Sequence, residues 1–155
     1  MGWVVYTSPD NNNQHNAQRD NAPQNISRIR DGSTNVMMLA EQAARPQRWI
    51  LRQQVLPDQV SGTRGMWAGQ TSVAWYTYSP DGTLNSNNNK TAGDALSGTV
   101  NIDNNQGMYS FHPAGVNLLM CDGSVRMAYP TLSGRTFGQL VTRDDGEVLG
   151  PDFDN

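Results

Sequence analysis

Two side chains in the stretch SFHPAGVNLLMCDGSVRMAY, residues 110–129, have chemistry to offer: His112 and Asp122. An imidazole touching a carboxylate makes a general-base pair or part of a cation site. Their spacing opposes that contact. The strand between them would span ~30 Å, so they meet only if the chain bends at Pro113-Ala114-Gly115. Serine-hydrolase chemistry also needs a nucleophile against the pair, and no nucleophile-elbow pattern is present. The glycine-rich SGTRGMWAG, residues 61–69, has neither the spacing nor the lysine of a phosphate-binding loop. Cys121 is the single cysteine and lies in an apolar run, so it reads as an inert thiol. His15 stands in an Asn-rich loop and takes no role.

A second constellation is aromatic. Trp67, Trp75, Tyr76 and Tyr78 lie close in sequence. Exposed rings stack on sugar faces while Asn and Gln bond hydroxyls, which makes an extracellular carbohydrate-binding β-module the alternative function. Against it, a small core needs large residues, and these four would fill one.

Composition narrows the choices. The 155 residues fit one compact domain, 1–155. Charged residues are 16% of the chain, below the usual quarter, and the net charge is −3. Such a surface has no footprint for nucleic acid and no basic cluster for an anionic membrane. A lone cysteine excludes an internal disulfide and a paired-thiolate zinc site.

The elements that would position these residues are mostly strands. GWVVYTS (2–8) reads as a strand, followed by a solvated Asn-rich loop to residue 25. Asp31-Gly32 marks a turn, and NVMMLAEQAA after it is balanced between helix and strand. WILRQQVLP (49–57) is mixed, GMWAGQTSVAWYTYSP (65–80) reads as strand, and 98–113 as one short strand and a loop. VNLLMC and SVRMAY flank Asp122-Gly123, which predicts a hairpin with a two-residue type I′ turn. Val116, Leu118 and Met120 share one face of it, with Leu119 and Cys121 on the other; apolar residues on both faces predict cover on both sides. Thr131 or Ser133 is placed to cap a helix carrying Leu132, Phe137, Leu140 and Val141, and EVLG near the end adds a last short strand.

The spacing from His112 to Asp122-Gly123 is H-x9-DG. With it the chain resembles the prepilin-type H-x9-DG proteins, the DUF1559 family, abundant in Planctomycetes and related bacteria. SFHPAGVNLLMCDGSVR (110–126) is similar to the family pattern S-F-H-P-G-G-x-N-x-x-x-x-D-G-S-V-R, with Ala114 in place of the first glycine. IRDGSTNVMMLAE (29–41) resembles I-x-D-G-x-S-N-T-x-x-x-x-E, matching at Asp31, Gly32, Asn35 and Glu41. NIDNNQGMYSFHP (101–113) and GRTFGQLVTRDDGEVLG (134–150) resemble the feeding loop and the closing helix.

The resemblance implies an α+β fold: a mainly antiparallel β-sheet head with a short C-terminal helix near 131–142, pilin- or pseudopilin-like without the N-terminal helix. It resolves 35–41 as a strand and makes 26–150 the family-like head after a strand and loop at 1–25. It implies a non-enzymatic head of an envelope or surface protein of type II secretion or type IV pilus-like assemblies. Its partners would be other pilin-like or envelope proteins, and membrane contact would run only through a helix this chain is not expected to carry. The resemblance also sets out a metal reading, in which Glu41, His112 and Asp122 converge, or Asp103, Asp144 and Asp145 supply oxygen to calcium. The simpler reading has Asp122 serving its turn and His112 bonding a backbone carbonyl or Glu41 to pin the start of the hairpin. That reading needs no cofactor.

Overall fold

The computed structural model describes residues 2–3, 26–59, 82, 100–105, 107–142 and 146–153. Six strands, one α-helix and a short 3-10 turn at Ile26–Arg28 fall within them: β1 (Gly2–Trp3), β2 (Met37–Ala40), β3 (Gln47–Ile50), β4 (Gln53–Gln59), β5 (Val116–Met120), β6 (Val125–Ala128) and α1 (Gly134–Val141). They form an antiparallel sheet in the order β1-β2-β5-β6 and a separate β3-β4 hairpin. The fold is α+β, as the resemblance implies. No helix among the described residues is long and apolar enough to cross a membrane.

Alternation along β5 divides its residues between two faces. Val116, Leu118 and Met120 point into the core and are fully buried. They pack with Met37 and Ala40 of β2, Ala128 of β6, and Leu132, Phe137, Leu140, Val141 and Phe153. The helix therefore covers one face of the sheet with the side chains expected of it. Ser133 is the N-cap and accepts a hydrogen bond from the Thr136 N–H. Register is interrupted between Met37 and Leu39: Met37 is buried and Met38 is exposed.

The opposite face departs from expectation. Leu39, Leu119 and Met127 are only half-buried there, and Val125 is 66% exposed. A groove of about 430 Å³ runs along it, lined by Leu39, Ala40, Leu118, Leu119 and Val125, with Glu41 and Asn117 at its polar end. Among the described residues, cover is seen on the helix-facing side of the hairpin alone.

Its turn is also different. Gly123 is at φ +88°, but Asp122 is not left-handed, so the type I′ geometry is excluded. Instead Gly123 N–H donates to Met120 C=O, and Met120 N–H donates to Ser124 C=O. This is a three-residue loop: a tight turn over Cys121 and Asp122, closed by a left-handed glycine. The Asp122 carboxylate accepts the Ser124 N–H and hydroxyl, at 2.9 and 2.7 Å, and so needs no positive φ of its own. The type I′ turn occurs elsewhere. Leu51 and Arg52, both left-handed, join β3 to β4, with Ile50 opposite Gln53.

The described residues of 100–110 hold no regular strand; isolated bridges join Val100 to Met108, Gln42 to Tyr109 and Ile50 to Asp103. EVLG (147–150) is likewise not a strand, because its polar groups serve the helix instead. Gly150 N–H donates to the Gln139 side chain. Asp152 accepts Ser133 N–H and the Thr136 hydroxyl. Phe153 then enters the core, and the Arg126 guanidinium lies 4.3 Å from its ring centre.

Candidate functional site

The signature residues build one compact knot around Glu41. Residues 41–43 and 109 run side by side, fixed by Tyr109 N–H to Glu41 C=O and Ala43 N–H to Tyr109 C=O. That pairing brings the start of the 110–115 loop against the end of β2. Ser110 braces the loop: its hydroxyl donates to Gly115 C=O and accepts the His112 N–H. His112 Nε2 reaches Glu41 Oε1 at 3.2 Å. The other oxygen, Glu41 Oε2, accepts the Asn117 N–H at 2.8 Å and its side-chain amide at 3.1 Å. Glu41 N–H donates in turn to Asn117 C=O. One carboxylate therefore joins β2, the loop and the first residues of β5.

Gly115 is required by crowding. A Cβ there would collide with the Ala128 carbonyl. Ala114 is exposed and not left-handed, so its substitution for the family's first glycine is accommodated.

The other motif, around Asp31, supports the far end of the hairpin. Asn35 N–H closes a turn on Gly32 C=O, and its side chain donates to Asp31 C=O at 2.8 Å. Gly32 is left-handed at φ +93°. Ser33 C=O and Val36 C=O accept the N–H groups of Asp122 and Cys121, so the two Asp-Gly turns abut. The Asp31 carboxylate accepts Gly146 N–H. Burial, with Asp122 beside it, pushes the Cys121 thiol up, which suits an inert cysteine.

Among the described residues the candidate metal ligands are not brought together as one set. Glu41 and His112 come together, but Asp122 lies at the opposite end of β5, bonded to Ser124. Asp103 is almost fully buried and paired with Arg48 at 3.0 Å. Among the described residues no group of three or more His, Cys, Asp or Glu could hold a metal ion. Asp144 and Asp145 lie outside the described residues, as do Trp67, Trp75, Tyr76 and Tyr78.

The sequence reading missed a hub at residues 101–105. Asn104, wholly buried, accepts Trp49 N–H and donates to Ala43 and Gln47 C=O. Arg45 donates to the carbonyls of Asn104 and Asn105. Leu51 N–H donates to Ile102 C=O, and Arg52 N–H to the Tyr109 hydroxyl at 3.0 Å. Burial raises the Tyr109 phenol above its ordinary value, against the lowering effect of Arg52. An Asn-rich loop carries no sequence signal separating a buried hub from a solvated turn.

Fold and knot together define a small sheet head whose signature polar groups join one backbone segment to another. The family model described as protein of unknown function DUF1559 matches residues 4–133, and the chain belongs to that family. No curated protein and no solved structure matches it.

Proposed function

We propose that this chain is the non-enzymatic globular head of a pseudopilin-like envelope or surface protein, working within a type II secretion or type IV pilus-like assembly. The observation that carries the reading is the Glu41 knot. The side chains of the signature that have chemistry to offer are engaged with the chain's own backbone or with each other. A scaffold uses polar groups in this way; turnover needs them turned toward a substrate. The apolar outer face beside the knot supports the same reading, because a sheet face of that kind calls for a covering partner. In a pilin-like subunit the cover is an apolar helix N-terminal to the head, which would also make the membrane contact. Other pilin-like or envelope proteins are the partners, no cofactor is needed, and the location is periplasmic or extracellular.

Fractionation of the source bacterium with antibody against this head tests the proposal. The head should appear with the envelope or in material sheared from the cell surface. Recovery in the soluble cytoplasm would overturn it.

A further inference from the structure

From the β3–β4 hairpin and the loop beside it, we infer a carbohydrate-binding platform formed by Trp49, Phe111, Gln54 and Arg52, for neutral hexose or N-acetylhexosamine rings. It rests on residues other than the aromatic set at 67–78 and does not depend on the pseudopilin reading.

The first observation is an open pair of rings. Phe111 is 49% exposed although it follows a buried stretch, and its ring meets Trp49 edge-on at 5.0 Å. Tyr109 lies behind, also edge-on, at 5.8 Å from Phe111. The stack props the Phe111 ring in water, where a free phenylalanine would fold down to reduce its exposure.

Register supplies the second observation. Trp49 is opposite Gln54, and side chains of directly opposed residues project from the same face. Gln54 is exposed, so an amide donor and acceptor stands beside the rings. On the other side, Arg52 donates to His112 and Pro113 C=O at 2.9 and 3.2 Å, which holds its guanidinium next to the Phe111 loop.

Strain is the third. Ala44, Leu51, Arg52 and Asn101 are the left-handed non-glycine residues among those described; Leu51 and Arg52 form the turn of this hairpin, Ala44 lies just before it, and Asn101 lies in the 101–105 hub beside it. Strain of this kind clusters at binding sites. Asn-Gly would make the Leu51-Arg52 turn without strain.

A flat ring edged by an amide and a guanidinium matches a sugar: the ring faces its C–H surface and the polar groups reach its hydroxyls. A stable protein contact needs roughly 800 Å² on each side with an apolar centre, far more than these rings present. The net charge of −3 leaves nucleic acid unfavoured.

The test is titration of the isotope-labelled chain with cellohexaose, mannohexaose and chitohexaose, read by nuclear magnetic resonance. At least one should shift the Trp49 indole and Phe111 amide signals. Phe111→Leu, which keeps an apolar contact on Trp49 and removes the ring, should weaken that sugar about tenfold without lowering the melting temperature. Gln54→Ala, at an exposed position, should weaken it by a smaller factor. Failure of all three sugars to shift these signals overturns the inference, and so does equal binding by the wild type and Phe111→Leu.

Discussion

The Glu41 carboxylate holds the His112 imidazole at 3.2 Å across 71 positions of sequence, and its second oxygen holds both nitrogens of Asn117. The two partners differ in burial. The His112 side chain is 54% exposed, so its bond competes with water, whereas the Asn117 backbone is part-buried.

Glu41→Ala should therefore cost about 3 kcal/mol, because it strands a part-buried N–H and removes the tie between β2 and β5. His112→Ala should cost under about 1 kcal/mol, as for an exposed ion pair. Urea denaturation of both variants checks the ratio. Equal losses would mean that the imidazole, not the asparagine, is what Glu41 is there to hold.

Two glycines of the signature should respond differently to alanine. At Gly123 nothing lies within 4 Å of an added Cβ, so the left-handed φ is the whole penalty, about 1 kcal/mol. At Gly115 the added carbon meets the Ala128 carbonyl, and β5 must part from β6. Gly115→Ala should give little soluble folded protein where Gly123→Ala melts a few degrees low, as circular dichroism would show.

Acid should loosen the helix through Asp152. Burial opposes its ionisation, but bonds from Thr136 and Ser133 outweigh that and hold its carboxyl below the ordinary 3.8. The folded value lies below the unfolded one. The stabilisation is thus complete above the ordinary value and disappears as pH falls through the depressed one. Melting temperatures of Asp152→Asn should fall less steeply over that acid range than those of the wild type.

Relieving the strained turn should stabilise the protein. Leu51→Asn with Arg52→Gly places the preferred residues at two left-handed positions and keeps the backbone donors to Ile102 and Tyr109. A gain of about 1 kcal/mol, or 2–4 °C by calorimetry, is expected. A loss would show that the Arg52 bonds to His112 and Pro113 outweigh the strain.

Asn104→Ala should be among the most damaging polar substitutions, at about 3 kcal/mol, since it leaves Trp49 N–H and two carbonyls without their partner in a buried site. Thermal melting checks it.

These outcomes also mark where sequence was sufficient. The hairpin and the helix with its Ser133 cap were legible because apolar periodicity and capping chemistry are local; the His112 contact spans 71 positions, and sequence left its partner open between a backbone carbonyl and Glu41. The resemblance supplied β2, which propensity left balanced. The turn type was misread because Asp-Gly serves both a two-residue and a three-residue loop, and the choice is made by the Ser124 bonds to Asp122. The 101–105 hub and the Leu51-Arg52 turn were invisible, since both depend on partners distant in the chain. The pairing of Asp103, one candidate oxygen donor, with Arg48 was likewise invisible, because Arg48 belongs to another element.

The β2–β5 ladder, with Ala40 beside Leu118, joins opposite halves of the chain. Closing so long a loop comes before its contacts can repay the lost freedom, which slows folding. The β5–β6 ribbon forms early by comparison and waits with both flanks wet. During that interval it is a template for a neighbouring nascent chain. Refolding yield should therefore fall with protein concentration more steeply than the finished stability would suggest, and dilute conditions should favour recovery of the folded chain.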